Sequence, residues 1–161
     1  MALKPRMIFA LMFLACAGLI GFALYLQYAK GLEPCPLCIL QRYAFVGIGL
    51  VALIATLHNP GKAAQAIYSF LSVLFALGGL IVAGRHVWLE QLPKDQVPAC
   101  GPGLDFILDA FPLNKALPMI FKGSGECAEV GWRFIGLSIS EWAFVWFVLL
   151  AMGAFLVMRK R

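Results

Sequence analysis

Five cysteines are the residues of this 161-residue chain whose type and spacing could do chemistry: Cys16, Cys35, Cys38, Cys100 and Cys127. Cys35 and Cys38 form a Cys-x-x-Cys with Pro36 directly after the first sulfur. Proline suits the first turn of a helix, where its missing N–H costs nothing, so the pair reads as the start of one. A helix N-terminus carries partial positive charge and stabilises a thiolate there. Arg42 follows Cys38 by four residues, so the two project from one helix face a turn apart. A fixed cation in that position can hold a thiolate, or negative charge developing on a bound oxidant. The competing reading is an interfacial arginine reaching up to lipid headgroups.

Other chemistries fit less well. A four-cysteine zinc site is disfavoured because Cys100 and Cys127 lie 27 positions apart instead of forming a second short pair. No resident metal is expected. Haem attachment fails because Ile39, not histidine, follows Cys38. Two inert structural disulfides are a serious alternative, and four cysteines allow three pairings. An inert bridge suits Cys100 with Cys127 better than the tight, labile ring of a Cys-x-x-Cys. Cys16 reads as a small buried apolar residue. Arg85-His86 is a second polar intrusion near the end of an apolar stretch. His86 could line a pocket with Arg42 and Cys38, or the pair could bond to Glu90 or loop carbonyls. His58 reads as a solvated turn residue.

These groups must be positioned by a chain that is 62% hydrophobic and 13% charged, with mean hydropathy +0.88. Soluble domains are about 45–50% apolar and about 25% charged, and disordered chains are more polar still. Gly and Pro show no period and no charged heptad runs through the chain, which excludes collagen-like and coiled-coil classes. The class left is an all-α integral membrane four-helix bundle forming a single domain over 1–161. A membrane helix needs about 20 apolar residues. Such spans are expected over about 7–29, 39–57, 67–89 and 142–158, with outer loops over about 30–38 and 90–141. The long loop holds five prolines from Pro93 to Pro118, and six of the eight acids lie between Asp95 and Glu141. Its runs Leu104–Phe111 and Leu113–Phe121 read as short helices on the membrane surface, since Pro112 and Pro118 argue against another span.

Charge gives the orientation. Lys4, Arg6, Lys62, Arg159, Lys160 and Arg161 share one side with no acid, and the other side holds the remaining seven positive charges and all eight acids. That is +6 against −1, which sums to the net +5. The dense side is expected to be cytoplasmic with both termini, leaving Cys35, Cys38, Cys100 and Cys127 in the oxidising outer compartment. Positive charges confined to span ends do not suggest nucleic-acid binding. The first apolar run is too long for a signal peptide and is expected to remain uncleaved.

Cys35-Pro36-Leu37-Cys38 followed by Gln41-Arg42, four spans, and Ser124-Gly125-Glu126-Cys127-Ala128-Glu129 before Trp132 and Ser140-Glu141-Trp142 closely resemble the disulfide bond formation protein B (DsbB) family. The resemblance covers essentially the whole chain. It implies a bacterial inner-membrane dithiol:quinone oxidoreductase. Such an enzyme reoxidises a periplasmic thioredoxin-like donor of the DsbA type and passes the electrons to ubiquinone or menaquinone. By position, Cys100–Cys127 would be the disulfide attacked by the donor, with Cys100 forming the mixed disulfide. Cys35–Cys38 would reoxidise that pair through a transient Cys35–Cys100 link. Cys38 would face the quinone as a thiolate, Arg42 would stabilise its reduced form, and His86 would stand near it. The chain is read as a monomer in lipid. The rivals are a vitamin K epoxide reductase type of enzyme and a non-catalytic scaffold stapled by two disulfides.

Overall fold

The computed structural model describes residues 4–93, 95–99, 104–129 and 131–159. Four helices in it are long and apolar enough to cross a membrane: α1 (Pro5–Lys30), α2 (Pro36–His58), α3 (Lys62–Glu90) and α6 (Ile139–Arg159). Each extends beyond its apolar window at both ends, because the last turns are set by caps and not by hydropathy. Helix α1 begins at Pro5 and stops at Gly31, whose φ of 66° lets its N–H reach the Leu26 carbonyl. Helix α2 ends in the same way at Asn59, φ 44°, with its N–H on the Ala55 carbonyl. The Asn-Pro-Gly turn then delivers the chain into α3.

Helix α2 packs against both α1 and α3, α3 packs along α6, and α6 touches α1 through Gly153 against Ile8 and Met12, which closes the bundle. The core joins Phe9, Met12 and Cys16 of α1, Phe45 and Ile48 of α2, Ala76 and Ala83 of α3, and Phe147 and Leu150 of α6. Cys16 is thus a core residue, as expected. Large apolar side chains such as Leu11, Leu50, Leu57, Ile81 and Met152 point outward. Lipid tails are their solvent, and the backbone polar groups are satisfied within each helix.

Close approach of α3 to α6 depends on Gly79. A Cβ there would collide with the Phe147 ring. That ring cannot withdraw freely, because it stacks on Phe45 with centroids 4.1 Å apart and planes 9° from parallel. Gly79→Leu is expected to cost about 1–3 kcal/mol through overpacking. Gly78→Leu, with nothing within 4 Å of its Cβ position, should leave stability near wild type. Unfolding midpoints of the two variants in one detergent check this.

The long loop carries helices α4 (Leu104–Ala110) and α5 (Leu113–Lys122), where two surface helices are expected. Pro112 separates them, and its carbonyl accepts the Lys115 and Ala116 amides that open α5. Ala116 and Ile120 bury against Ile107 and against Leu40 of α2. Arg85 fastens the far end of α5 by donating from Nε to the Phe121 carbonyl (3.3 Å) and from Nη2 to the Lys122 carbonyl (3.0 Å). The loop-carbonyl role weighed for Arg85 is therefore the one observed.

The chain then makes a 3₁₀ turn, Gly125–Ala128, and a two-residue antiparallel hairpin that periodicity did not reveal. Strands β1 (Arg133–Phe134) and β2 (Leu137–Ser138) are joined through Ile135 (φ 53°) and Gly136 (φ 81°), both left-handed as this tight turn requires. Ser138 and Glu141 close a reciprocal cap on α6: the Ser138 amide donates to Glu141 Oε2 (2.7 Å), and the Glu141 amide donates to Ser138 Oγ (3.2 Å). The pattern Ser-x-x-Glu announces that cap in the sequence.

Candidate functional site

The start of α2 positions the first cysteine pair. Cys35 is its N-cap, and the Cys35 sulfur accepts the Cys38 amide at 3.4 Å, taking the place of a serine or aspartate oxygen. Pro36 occupies the first turn. Both sulfurs lie at the positive end of a helix, 3.3 Å apart. Cys35 is buried, whereas Cys38 is partly open.

Helix α3 brings His86 between them. His86 Nε2 stands 3.8 Å from the Cys35 sulfur, and Nδ1 stands 3.9 Å from the Cys38 sulfur. On its outer side Nε2 lies 3.6 Å from Glu90 Oε1, one turn further along α3. Nδ1 lies 3.2 Å from the buried Gln41 amide of α2. Glu90 is held in turn by Ser140 Oγ, which donates to it at 2.6 Å and lies 2.8 Å from Ser138 Oγ. A polar chain thus runs from the cap of α6 through Glu90 to His86.

The 3₁₀ turn delivers Cys127. Its side chain is fully buried, packed with Leu37 of α2 and Val82 and Leu89 of α3. Gly123 permits that descent: its φ is 78°, and a Cβ there would meet the Leu89 side chain. The sulfurs of Cys127 and Cys35 and a ring nitrogen of His86 all lie within 4.8 Å of one another. The adjacent Cys35 sulfur, and then burial, push the Cys127 thiol well above the ordinary thiol range. Cys127 is therefore protonated at neutral pH, and it needs a base beside it to react.

Arg42 completes the group one turn below Cys38. Its guanidinium donates to the Gln27 side chain and, through Nη2, to the Ala23 carbonyl (3.3 Å), both on α1. These bonds aim it inward and replace the water it loses in the membrane, so headgroup snorkelling does not describe it. Arg42, Cys38 and His86 share one cavity of about 590 Å³. Its remaining walls are mainly apolar, with Leu19, Phe45 and Trp146 among them. A cavity of this size and lining suits a small flat molecule with a few polar atoms. A quinone ring fits that description.

Cys35, Cys38, Arg42, His86 and Cys127 are thus brought together from three separate stretches of chain. Cys100 lies outside the described residues. Three contributors carried weaker signals. Gln27 is the strongly polar residue inside the first span, Glu90 follows His86 at helical spacing, and Gln41 precedes Arg42. Each is legible as an anomaly, but none has a partner until the helices are packed.

Comparison with known proteins agrees with this arrangement. The family model described as "Disulfide bond formation protein DsbB" matches residues 5–157. A disulfide bond formation protein B from Hahella chejuensis is 55% identical over 159 residues, covering 98% of this chain and 96% of the relative. The protein of the same name from Marinobacter nauticus is 51% identical over 159 residues, covering 98% and 95%. The one from Acinetobacter baumannii is 50% identical over 151 residues, covering 93% and 88%. With a membrane four-helix framework, a cysteine cluster at the head of α2, and likeness along nearly its whole length, the chain belongs to the DsbB family of disulfide bond formation proteins.

Proposed function

We propose that this membrane oxidoreductase oxidises a periplasmic thioredoxin-like dithiol donor by disulfide exchange and passes the electrons to membrane quinone. Both termini face the cytoplasm, and the cysteine cluster faces the periplasm. The observation that carries the reading is the convergence of Cys35, Cys38, Cys127 and His86 at the head of an apolar cavity that also contains Arg42. A scaffold stapled by inert bridges would have no use for a cation and a histidine beside its sulfurs.

The exchange is a sequence of thiolate attacks, each forming one S–S bond and breaking another. A donor thiolate attacks Cys100 of a Cys100–Cys127 disulfide and releases Cys127. Cys127 attacks Cys35 of a Cys35–Cys38 disulfide, and Cys38 leaves with the electron pair. The donor's second thiol then frees Cys100 and carries away the donor's disulfide. Cys100 recloses on Cys127, which leaves Cys35 and Cys38 as the dithiol. The separation of Cys127 and Cys35, at most 4.8 Å, supports Cys127 as the sulfur that links to Cys35. That reading differs from the Cys35–Cys100 link which family resemblance alone suggested.

A bound quinone, ubiquinone or menaquinone, supplies the two-electron, two-proton acceptor. Around it the chain's own groups have separate tasks. Cys38 presents the partly open sulfur to the cavity, and Arg42 offers N–H donors where negative charge develops. His86 is placed to take the proton of Cys127 or Cys35 at Nε2, with Glu90 stabilising the imidazolium that results. The apolar walls exclude water from the sulfurs.

The test is quinone reduction by the purified protein in detergent, driven by a reduced thioredoxin-like donor. Turnover, together with a trapped donor–Cys100 mixed disulfide in Cys127→Ser, is the expected result. Absence of both with several donors and both quinone types, while the helical fold is intact, would favour the scaffold.

A further inference from the structure

Two thiols and an imidazole, buried and converging from three elements, are also a ligand set. We infer that the reduced site is a trap for one thiophilic d¹⁰ cation, Zn²⁺ or Cd²⁺, held by the Cys35 and Cys127 sulfurs and by His86 Nε2. The three side chains are buried. Their donor atoms lie within 4.8 Å of one another, and Nε2 stands 3.8 Å from the Cys35 sulfur. Metal–sulfur bonds of about 2.3 Å and metal–nitrogen bonds of about 2.1 Å set neighbouring tetrahedral donors roughly 3.5–3.8 Å apart. Small side-chain rotations therefore close the site without moving the helices. Glu90 Oε1, 3.6 Å from the same nitrogen, or a water can fill the fourth position.

The surroundings already meet a further requirement of a histidine ligand. When Nε2 binds a metal, Nδ1 carries the proton and needs an acceptor. The buried Gln41 amide lies 3.2 Å from Nδ1 and offers its carbonyl oxygen after a half-turn of the amide plane. This ligand set excludes Cys38 and draws on Cys127, so it differs from a Cys-x-x-Cys metal site and from a four-cysteine site. Binding converts two thiols to thiolates and releases two protons, with no electron transferred. Oxidation of either sulfur to a disulfide removes the site. The trap is therefore specific to the reduced protein, and a captured cation would arrest exchange at Cys35 and Cys127.

The test is a cadmium titration of the full-length protein in detergent, reduced and desalted without oxygen. The readout is the ultraviolet thiolate-to-cadmium band, which needs no quinone turnover and so stands or falls apart from the proposed activity. Saturation at one equivalent is expected, with none in the oxidised protein. Cys127→Ser and His86→Ala should abolish saturable binding. Gln41→Leu should weaken it by about 10–100-fold, and Cys38→Ser should bind as wild type does. Equal binding by oxidised protein, retention in Cys127→Ser, loss in Cys38→Ser, or no binding by reduced wild type would each overturn the inference. Binding by the oxidised wild type, or none by the reduced wild type, overturns the inference even where a substituted chain fails to fold.

Discussion

Cys38→Ser is expected to lower donor-driven quinone reduction by about 10³-fold or more, roughly 4 kcal/mol of barrier. Cys38 is the only partly exposed residue among the described cysteines of the site, and it lines the same cavity as Arg42. A serine oxygen there can form no disulfide with Cys35, so electrons have no route from the outer pair to the acceptor. The matching control is Cys16→Ala. Cys16 is buried in the bundle core among Phe9 and Met12, outside the cavity, and its loss should leave turnover near wild type. Steady-state assays of both variants measure the contrast. Comparable losses in the two would mean that sulfur removal disturbs the fold generally and that Cys38 has no special place.

Arg42→Met is expected to raise the KM for quinone by about 10–100-fold. A charge-assisted hydrogen bond is worth about 1.5–3 kcal/mol, and each 1.4 kcal/mol is about tenfold. Methionine keeps most of the volume and removes the cation and its donors. Arg42→Lys should recover part of the loss, because an ammonium restores charge but not the planar fork that engages Gln27 and the Ala23 carbonyl. Single-turnover oxidation of the donor, started from the Cys35–Cys38 disulfide with no quinone present, should be little changed in Arg42→Met. An unaltered KM, or an equal slowing of donor oxidation, would reassign Arg42 to structural support between α1 and α2.

The two predictions draw on features of different legibility. The class of fold could be read along the chain because four apolar stretches of membrane length are a local property of composition. The start of α2 was equally local, since a Cys-Pro-x-Cys contains both its own cap and its own first-turn proline. The two short helices of the loop followed from its apolar runs, with Pro112 dividing them, whereas Pro118 lies inside α5. The hairpin before α6 was not legible, because two-residue strands have no periodicity to detect and Ile135 is an unusual choice at positive φ.

Residue types and local spacing name the groups available for chemistry: the Cys35–Cys38 pair, a cation one helical turn below it, a histidine near the end of the third span, and a distant Cys127. Which of these meet is set by how the helices pack. Cys127 reaches Cys35 because Gly123 and the 3₁₀ turn lower it between α2 and α3, and His86 stands between the sulfurs because those helices pack side by side. Arg42 turns inward because α1 supplies the Gln27 side chain and the Ala23 carbonyl oxygen at the right height. Helical spacing and hydropathy act over a few residues, whereas these meetings span from 15 positions (Gln27 to Arg42) to 92 (Cys35 to Cys127). They depend on the relative rotation and depth of packed helices, which no local pattern encodes.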